Sequence, residues 1–227
     1  CREVMAAMAP ASVDAIVTDP PYGLSFMGAT WDHAVPGPEY WTAALRVAKP
    51  GAHLVAFGGT KTWHRLWCAI EDAGWKIRDT LMWVYGQGMP KSRGCLKPAW
   101  EPIILAAAPG KAPRLNIEEC RIEGVPDAPG STPPTANGNG STLGAMRRTA
   151  YEVPSGRWPA NLCFDFYAAE MLDEQAGPLR SGGMKAGTPR GENAVFGKSG
   201  GAKTKHDIVA DEGNASRFFY CAKAPRS

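Results

Sequence analysis

The feature that most constrains the fold is an early apolar stretch that is stopped by two prolines, VDAIVTDPPYG. Val13–Thr18 is rich in β-branched residues, which predicts a buried strand of a parallel sheet. Pro20 and Pro21 cannot donate to a strand ladder and they fix φ, so the strand has to end at Asp19. The sequence therefore predicts a carboxylate at the carboxyl edge of a sheet, which is where open α/β sheets bind ligands.

Strand and helix patterns alternate over the first 108 residues. Periodicity and turn formers predict helices over 3–8, 39–47 and 62–72 and further strands over 53–57, 76–85 and 101–107. The last two strands flank a polar, glycine-rich loop, GQGMPKSRGCLKPAW. This order predicts an α/β fold with a mixed sheet and helices on both faces.

The composition changes after residue 108. Residues 109–215 are rich in glycine, proline and serine, and the charged residues of their glycine-rich 180–205 segment are lysine or arginine with one exception. Short ordered pieces are expected at 157–162, 166–175 and 216–222. We therefore expect a packed part over 1–108, a loop-rich region over 109–215 and a return to the packed part over 216–227.

Composition excludes several classes of protein. A hydrophobic content of 44% and eight tryptophans predict a globular chain. The net charge of +3 predicts no nucleic-acid partner by itself, although a local basic patch can bind one. No apolar run reaches the roughly 18 residues of a membrane span. The six cysteines and four histidines show no metal spacing, so we expect no metal site and reduced, cytoplasmic thiols.

The tetrapeptide Asp19-Pro20-Pro21-Tyr22 by itself also fits a strand-ending turn. In its context the sequence resembles the DNA amino-methyltransferases, whose hallmark [DNS]-P-P-[YFW] ends a sheet strand. The segment KPGAHLVAFGG resembles the following strand of the catalytic domain. A resemblance to segments of phage and prophage members extends to LKPAWEPIILA, SGRWPANL and RFFYCAK. The resemblance implies a Rossmann-like class I methyltransferase fold, S-adenosylmethionine as cofactor, double-stranded DNA as partner, and a bacterial or phage-encoded cytoplasmic enzyme.

The resemblance assigns the catalytic role to Asp19, Pro20, Pro21 and Tyr22. The exocyclic amine of a base is a poor nucleophile because its lone pair is delocalised into the ring. The Asp19 carboxylate and the Pro20 carbonyl would accept its hydrogens and localise that lone pair, and both would border the cofactor. Tyr22 would stack on the flipped base. Adenine N6 is preferred over cytosine N4 as the target.

DNA contacts are expected in two regions, although charged loops of this kind can also be simply solvated. Phosphate contacts are expected from the loop that leaves the sheet edge of Asp19, at Lys91, Ser92, Arg93 and Lys97. The 109–215 region falls where such enzymes carry target recognition, and its basic 180–205 segment is expected to contact DNA. Phe26 and Trp31 either line the base pocket or pack the segment after Tyr22, and packing is favoured.

The chain departs from the family in one respect. No F-x-G-x-G loop that follows a strand and opens a helix is present, so the expectation is an internal segment of a longer enzyme without the cofactor half. Two rivals stay open. One is a DNA-binding remnant without catalysis, and the other is a methyltransferase acting on RNA or protein, where Asn-Pro-Pro-Tyr is usual.

Overall fold

A computed structural model describes residues 1–25, 28–90, 93–111, 114–124, 156–183, 185, 187 and 209–222. The chain forms two compact units. Unit 1 comprises Cys1–Leu115, Ala160–Met171 and Phe219–Ser227, and unit 2 comprises Asn116–Pro159 and Leu172–Phe218. Among the described residues, no helix is long and apolar enough to cross a membrane.

Over residues 1–108 the helices and strands follow the predicted order, whereas the short strands Leu179–Ser181 and Asp211–Gly213 further along the chain were not predicted. The helices are α1 (Arg2–Ala7), α2 (Pro38–Val47), α3 (Trp63–Asp72) and α4 (Phe166–Ala176). The strands are β1 (Val13–Thr18), β2 (Ala48–Phe57), β3 (Lys76–Val84), β4 (Trp100–Ala107), β5 (Leu162–Phe164), β6 (Leu179–Ser181), β7 (Asp211–Gly213) and β8 (Tyr220–Cys221). Strand β2 begins five residues earlier than predicted, because Ala48 already pairs with Val13.

Six strands form one mixed sheet in the order β1-β2-β4-β3-β5-β8. Strand β1 is parallel to β2, β4 is antiparallel to both β2 and β3, and β5 is parallel to β3. The carboxyl ends of β1, β2, β3 and β5 therefore meet the amino end of β4 along one side, here called the carboxyl edge. The predicted mixed α/β sheet is confirmed.

Two features of the sheet differ from expectation. The predicted burial of β1 is wrong, since Val17 is 71% exposed. The reason is that β1 is an outer strand of the described sheet and pairs there with β2 alone. Strand β5 lies within the region assigned to loops, yet it pairs with β3 through Met82 and Leu162. The sheet thus includes a strand from beyond residue 109. The recognition role of 109–215 stays a prediction.

The core of unit 1 lies where helices α2 and α3 meet strands β2 and β4. Leu54 and Ile104 from the strands and Leu66 and Ile70 from α3 are fully buried. The core also contains Trp75, whose indole N–H donates to the Trp41 carbonyl at 2.9 Å, so its polar group is satisfied although buried. This packing fixes β2, which in turn positions the carboxyl edge beside β1.

Replacing Leu54 by alanine tests this placement of the core. Leu54 is 0% exposed, so the change leaves a cavity and should lower the free energy of unfolding by about 2–5 kcal/mol. Urea unfolding of the intact protein measures this loss. Val17→Ala is the control on the neighbouring strand, and it should change stability by less than about 0.5 kcal/mol because the side chain is exposed. Equal losses for the two variants would contradict the described core.

The described part of unit 2 contains an ion-pair cluster in which one arginine is buried and its partners are half-buried. Arg157 is 5% exposed and its guanidinium donates to Asp211 Oδ2 at 2.7 Å, while Arg217 Nε donates to the same oxygen at 3.0 Å. Burial alone raises the pKa of Asp211, but the hydrogen bonds from Arg217 and Arg157 outweigh it and hold the pKa below its usual value. The ring of Phe218 lies 4.8 Å from the Arg157 guanidinium and 4.2 Å from that of Arg217. This cluster links Arg157, which forms an isolated bridge with Ile122, to Asp211 at the start of β7.

Candidate active site

The tetrapeptide Asp19-Pro20-Pro21-Tyr22, here called the catalytic turn, follows β1 directly at the carboxyl edge. The last residue of β1, Thr18, pairs with Ala56 near the end of β2. The catalytic turn therefore lies beside the loop that follows β2. Asp19 is exposed, whereas Pro20, Pro21 and Tyr22 are half-buried. A carboxylate is thus presented to solvent on a rigid backbone, as the sequence predicts.

The loop after β2 holds Tyr22 from two directions. The hydroxyl of Thr62 donates to the Tyr22 carbonyl at 2.6 Å. The aromatic ring lies directly over Gly59, where a Cβ would sit 3.1 Å from Cδ2 of Tyr22. The amides of Thr62 and Trp63 both donate to the Gly59 carbonyl, at 2.9 and 2.8 Å, so this loop is itself tied down at the start of α3. A side chain at position 59 would therefore force the Tyr22 ring to shift by a few tenths of an ångström.

The Tyr22 phenol interacts with the Asp19 side chain. Burial raises the pKa of Tyr22 well above its usual value, and the hydrogen bond to Asp19 and the negative charge of Glu101 raise it further. The phenol therefore stays protonated beside the Asp19 carboxylate and is a hydrogen-bond donor to it. Because an ionised carboxylate has about four acceptor positions, this bond leaves Asp19 able to accept further hydrogens.

Glu101 and Tyr85 extend the site along the carboxyl edge. Glu101 is the second residue of β4 and pairs with Trp83 of β3. Burial raises the pKa of Tyr85, and the negative charge of Glu101 raises it further. Glu101 thus acts electrostatically on both phenols, Tyr22 and Tyr85. The site combines two tyrosines with two carboxylates, a set of groups suited to a planar ligand that carries hydrogen-bond donors.

The loop between β3 and β4 leaves the carboxyl edge, as predicted. Arg93 is exposed in this loop, and so is Lys97, whose Nζ donates to the Gly86 carbonyl at 2.9 Å. Lys97 therefore also closes the base of the loop, and its ammonium keeps two further protons for other acceptors. Lys91 and Ser92 lie outside the described residues. The loop brings Arg93 and Lys97 to the side of the sheet that carries Asp19.

Trp31 lies in a short 3₁₀ turn, Thr30–Asp32, and is 65% exposed. The prediction that Trp31 packs under the segment after Tyr22 is therefore wrong, because its neighbour Asp32 takes the buried position instead. Phe26 lies outside the described residues. Most of the basic 180–205 segment lies outside them as well, so its DNA contact stays a prediction.

Three residues that hold the site were not found from the sequence. Gly59 and Thr62 come from the loop after β2, and Glu101 is the second residue of β4. A signal for the first two existed, since GGT follows a predicted strand and the carboxyl ends of parallel strands share one edge. Glu101 gave no such signal, because its approach to Tyr22 depends on the antiparallel pairing of β4 with both β2 and β3.

The sequence of this chain matches the sequences of a known protein family. The sequence profile of the family described as DNA methylase matches residues 13–128, just over half of the 227 residues. The type II methyltransferase M.HpaI of Haemophilus parainfluenzae is 29% identical over 119 residues, which cover 49% of this chain and 38% of the relative. The chain thus spans less than two-fifths of that curated relative.

Two solved structures are similar over about half of each chain. The cytosine-N4-specific PvuII DNA methyltransferase is 14% identical, with 52% of this chain and 50% of that one covered and a TM-score of 0.42. TTHA0409 of Thermus thermophilus is 24% identical, with 52% and 53% covered and a TM-score of 0.38. The family match includes β1, the catalytic turn and the whole of β2 to β4. The chain belongs to the DNA methylase family.

Proposed function

We propose that the intact protein transfers a methyl group from S-adenosylmethionine to the exocyclic amine of a base in double-stranded DNA, with adenine N6 as the target. The observation that carries this proposal is the exposed Asp19 carboxylate on a turn that Thr62 and Gly59 hold against the sheet. Membership of the DNA methylase family supports it. This chain contributes the side of the site that receives the amine.

Asp19 and Pro20 act on the amine through its two hydrogens. The carboxylate oxygen of Asp19 accepts one hydrogen and the carbonyl of Pro20 accepts the other, which favours a pyramidal nitrogen with a localised lone pair. Pro20 and Pro21 stiffen the backbone, so the two acceptors lie in place before the amine arrives and little reorganisation is needed. The Tyr22 phenol donates to Asp19 and keeps the carboxylate oriented.

A base inside a duplex cannot reach this edge of the sheet, so the nucleotide has to be flipped out, at a cost of a few kcal/mol. The ring of Tyr22, fixed over Gly59, offers a stacking face for the flipped base. Base–aromatic stacking contributes about 1–3 kcal/mol per base. The Glu101 carboxylate, which acts on the same phenol, adds an acceptor for donors on the base edge.

S-adenosylmethionine supplies an electrophilic methyl group when it is bound. A glycine pair, Gly58-Gly59, follows β2 and precedes α3, but the chain's own side chains fill the space above it. A Cβ on Gly58 would lie 3.2 Å from Cβ of Trp63, and Gly59 faces Tyr22. This glycine pair therefore does not fit an adenosine moiety. Asp19 and Pro20 are the residues that we propose to border the methyl donor.

The loop between β3 and β4 is proposed to contact DNA phosphates through Arg93 and Lys97. Replacing Arg93 by alanine should weaken binding to all DNA sequences about equally and reduce the slope of log K against log salt by about 1. Fluorescence anisotropy with a labelled duplex, over a salt titration, measures both effects. Lys49→Ala is the matched control, because Lys49 is an exposed cation at the amino end of β2, away from the carboxyl edge. A salt slope that Arg93→Ala leaves unchanged would count against the phosphate contact.

A single assay tests the proposed function. The intact protein is incubated with duplex DNA, single-stranded RNA or a protein extract and with radiolabelled S-adenosylmethionine, and the labelled products are hydrolysed to nucleosides or amino acids. The expected product is N6-methyladenine from duplex DNA. If N4-methylcytosine is found instead, cytosine is the target base, and the transfer of a methyl group to an exocyclic amine still holds. Label that enters only RNA or protein, or no label at all, would overturn the proposal.

A further inference from the structure

Asp32 is a buried carboxylate that the mechanism above does not use. It closes the 3₁₀ turn Thr30–Asp32 and is 2% exposed. Its two carboxylate oxygens accept hydrogen bonds from two successive backbone amides, with Oδ1 2.8 Å from the Gly23 nitrogen and Oδ2 3.2 Å from the Leu24 nitrogen. Gly23 and Leu24 are the first two residues after the catalytic turn. One side chain therefore fixes the point where the chain leaves Tyr22.

Backbone contacts reinforce this attachment. The Ser25 amide donates to the Asp32 carbonyl at 2.7 Å, which makes three successive amides that bond to the same residue. Gly23 has a φ of +67° and approaches Val35 so closely that a Cβ would lie 3.0 Å from the Val35 nitrogen. The segment after Tyr22 is therefore tied to the segment around Asp32 through contacts that involve neither Thr62 nor Gly59.

The catalytic turn is thus held at both of its ends. β1 fixes Asp19 at one end, and the amides that bond to Asp32 fix the residues after Tyr22 at the other. Hydrogen bonds from backbone amides to a carboxylate are among the stronger ones in proteins, and they are stronger still away from water. Buried carboxylates are uncommon in proteins unless such partners hold them.

We propose that Asp32 is a positioning residue for methyl transfer, which by its hydrogen bonds to Gly23 and Leu24 sets the orientation of Tyr22 and of the Asp19 and Pro20 acceptors. This inference rests on the proposed function. Asp32 touches neither the base nor the methyl donor in this role. Its effect is on the geometry in which the amine is received.

The variant Asp32→Asn tests the role, because asparagine has nearly the same shape but offers one acceptor oxygen in place of two. The side-chain NH₂ of the asparagine then faces a backbone N–H from which it cannot accept a hydrogen bond. We expect the single-turnover methylation rate of the intact protein to fall about tenfold or more, since a displacement of about 1 Å at a reacting centre is worth up to about 10²-fold. DNA affinity should change less than about twofold, because phosphate contacts dominate it.

Two control variants separate positioning from a general loss of stability. Ile70→Val shortens a fully buried side chain in α3 and lowers stability without touching the catalytic turn. Asp14→Asn removes an exposed carboxylate on β1 that pairs with Lys49. Both should keep the wild-type single-turnover rate at a temperature where all variants are folded. A loss in Ile70→Val as large as in Asp32→Asn would overturn the proposal.

Amide hydrogen exchange gives a readout that does not depend on activity. In Asp32→Asn the amides of Gly23 and Leu24 should exchange faster, while those of β2 keep their protection. If the wild-type protein does not methylate DNA, the proposed function is rejected. The exchange result then tests by itself whether Asp32 holds the amides of Gly23 and Leu24. Active wild type with an equally active Asp32→Asn would reject the positioning role alone. If Asp32→Asn does not fold, Asp32→Ser is measured in the same way, since serine keeps one acceptor in a smaller side chain.

Discussion

Replacing Asp19 by alanine in the intact protein should abolish methyl transfer while DNA binding survives. Asp19 is exposed at the carboxyl edge and contributes nothing to the buried core, so its loss removes an acceptor for the amine and for the Tyr22 phenol while the core stays intact. Loss of one preorganised group at a reacting centre lowers kcat by about 10²–10³-fold. Single-turnover transfer from radiolabelled S-adenosylmethionine, together with anisotropy for DNA affinity, measures the two effects separately.

Asp14→Asn is the matched control for Asp19, because it removes an exposed carboxylate near the amino end of β1, the strand that Asp19 follows. It should keep wild-type activity. Asp19→Asn should be nearly as inactive as Asp19→Ala, since one of its two polar atoms is then a donor that opposes the amine hydrogens. Equal loss of methyl transfer and DNA binding in Asp19→Ala would show that Asp19 is structural.

Replacing Tyr22 by alanine is the change with the second largest expected effect. It removes the stacking face, worth about 1–3 kcal/mol per base. It also empties the space over Gly59 and removes the phenol that donates to Asp19. We expect kcat/KM to fall about 10²-fold, since about 1.4 kcal/mol corresponds to a factor of ten. Steady-state kinetics with a duplex substrate measures the ratio.

Tyr22→Phe separates the ring from its hydroxyl. Phenylalanine keeps the ring over Gly59 and the stacking face but loses the hydrogen bond to Asp19. Because Asp19 is exposed, water can replace the lost donor, and we expect a decrease of less than about tenfold. A Tyr22→Phe enzyme as impaired as Tyr22→Ala would contradict the stacking role and assign the whole effect to the hydroxyl.

Local signals predicted most of the secondary structure. The bounds of β1 agree with the sequence prediction, because prolines that cannot join a ladder end the strand. Helix α3 ends at Asp72 just before Gly74, whose φ of +97° favours glycine, and this end was predicted as well. These features depend on residues within a few positions of each other. For that reason a single sequence was sufficient to predict them.

Contacts between distant segments were not predicted. Asp32 reaches Gly23 and Leu24 through a turn whose geometry the sequence does not encode in a simple pattern, and Thr62 reaches Tyr22 across 40 positions. The exposure of Trp31 depends on the geometry of the same turn. In that 3₁₀ turn the small aspartate, rather than the large tryptophan, faces the backbone amides that need an acceptor. Hydrophobicity alone favours the opposite assignment.

The most direct measurement is a crystal structure of the intact protein with a non-reactive analogue of S-adenosylmethionine and a duplex, whose sequence is taken from methylated sites mapped in the genomic DNA of the source. The expected result is a flipped base that stacks on Tyr22. Its exocyclic amine should donate to the Asp19 carboxylate and the Pro20 carbonyl at about 2.7–3.2 Å. A duplex bound with the base still stacked in the helix, or an amine that contacts neither Asp19 nor Pro20, would contradict it.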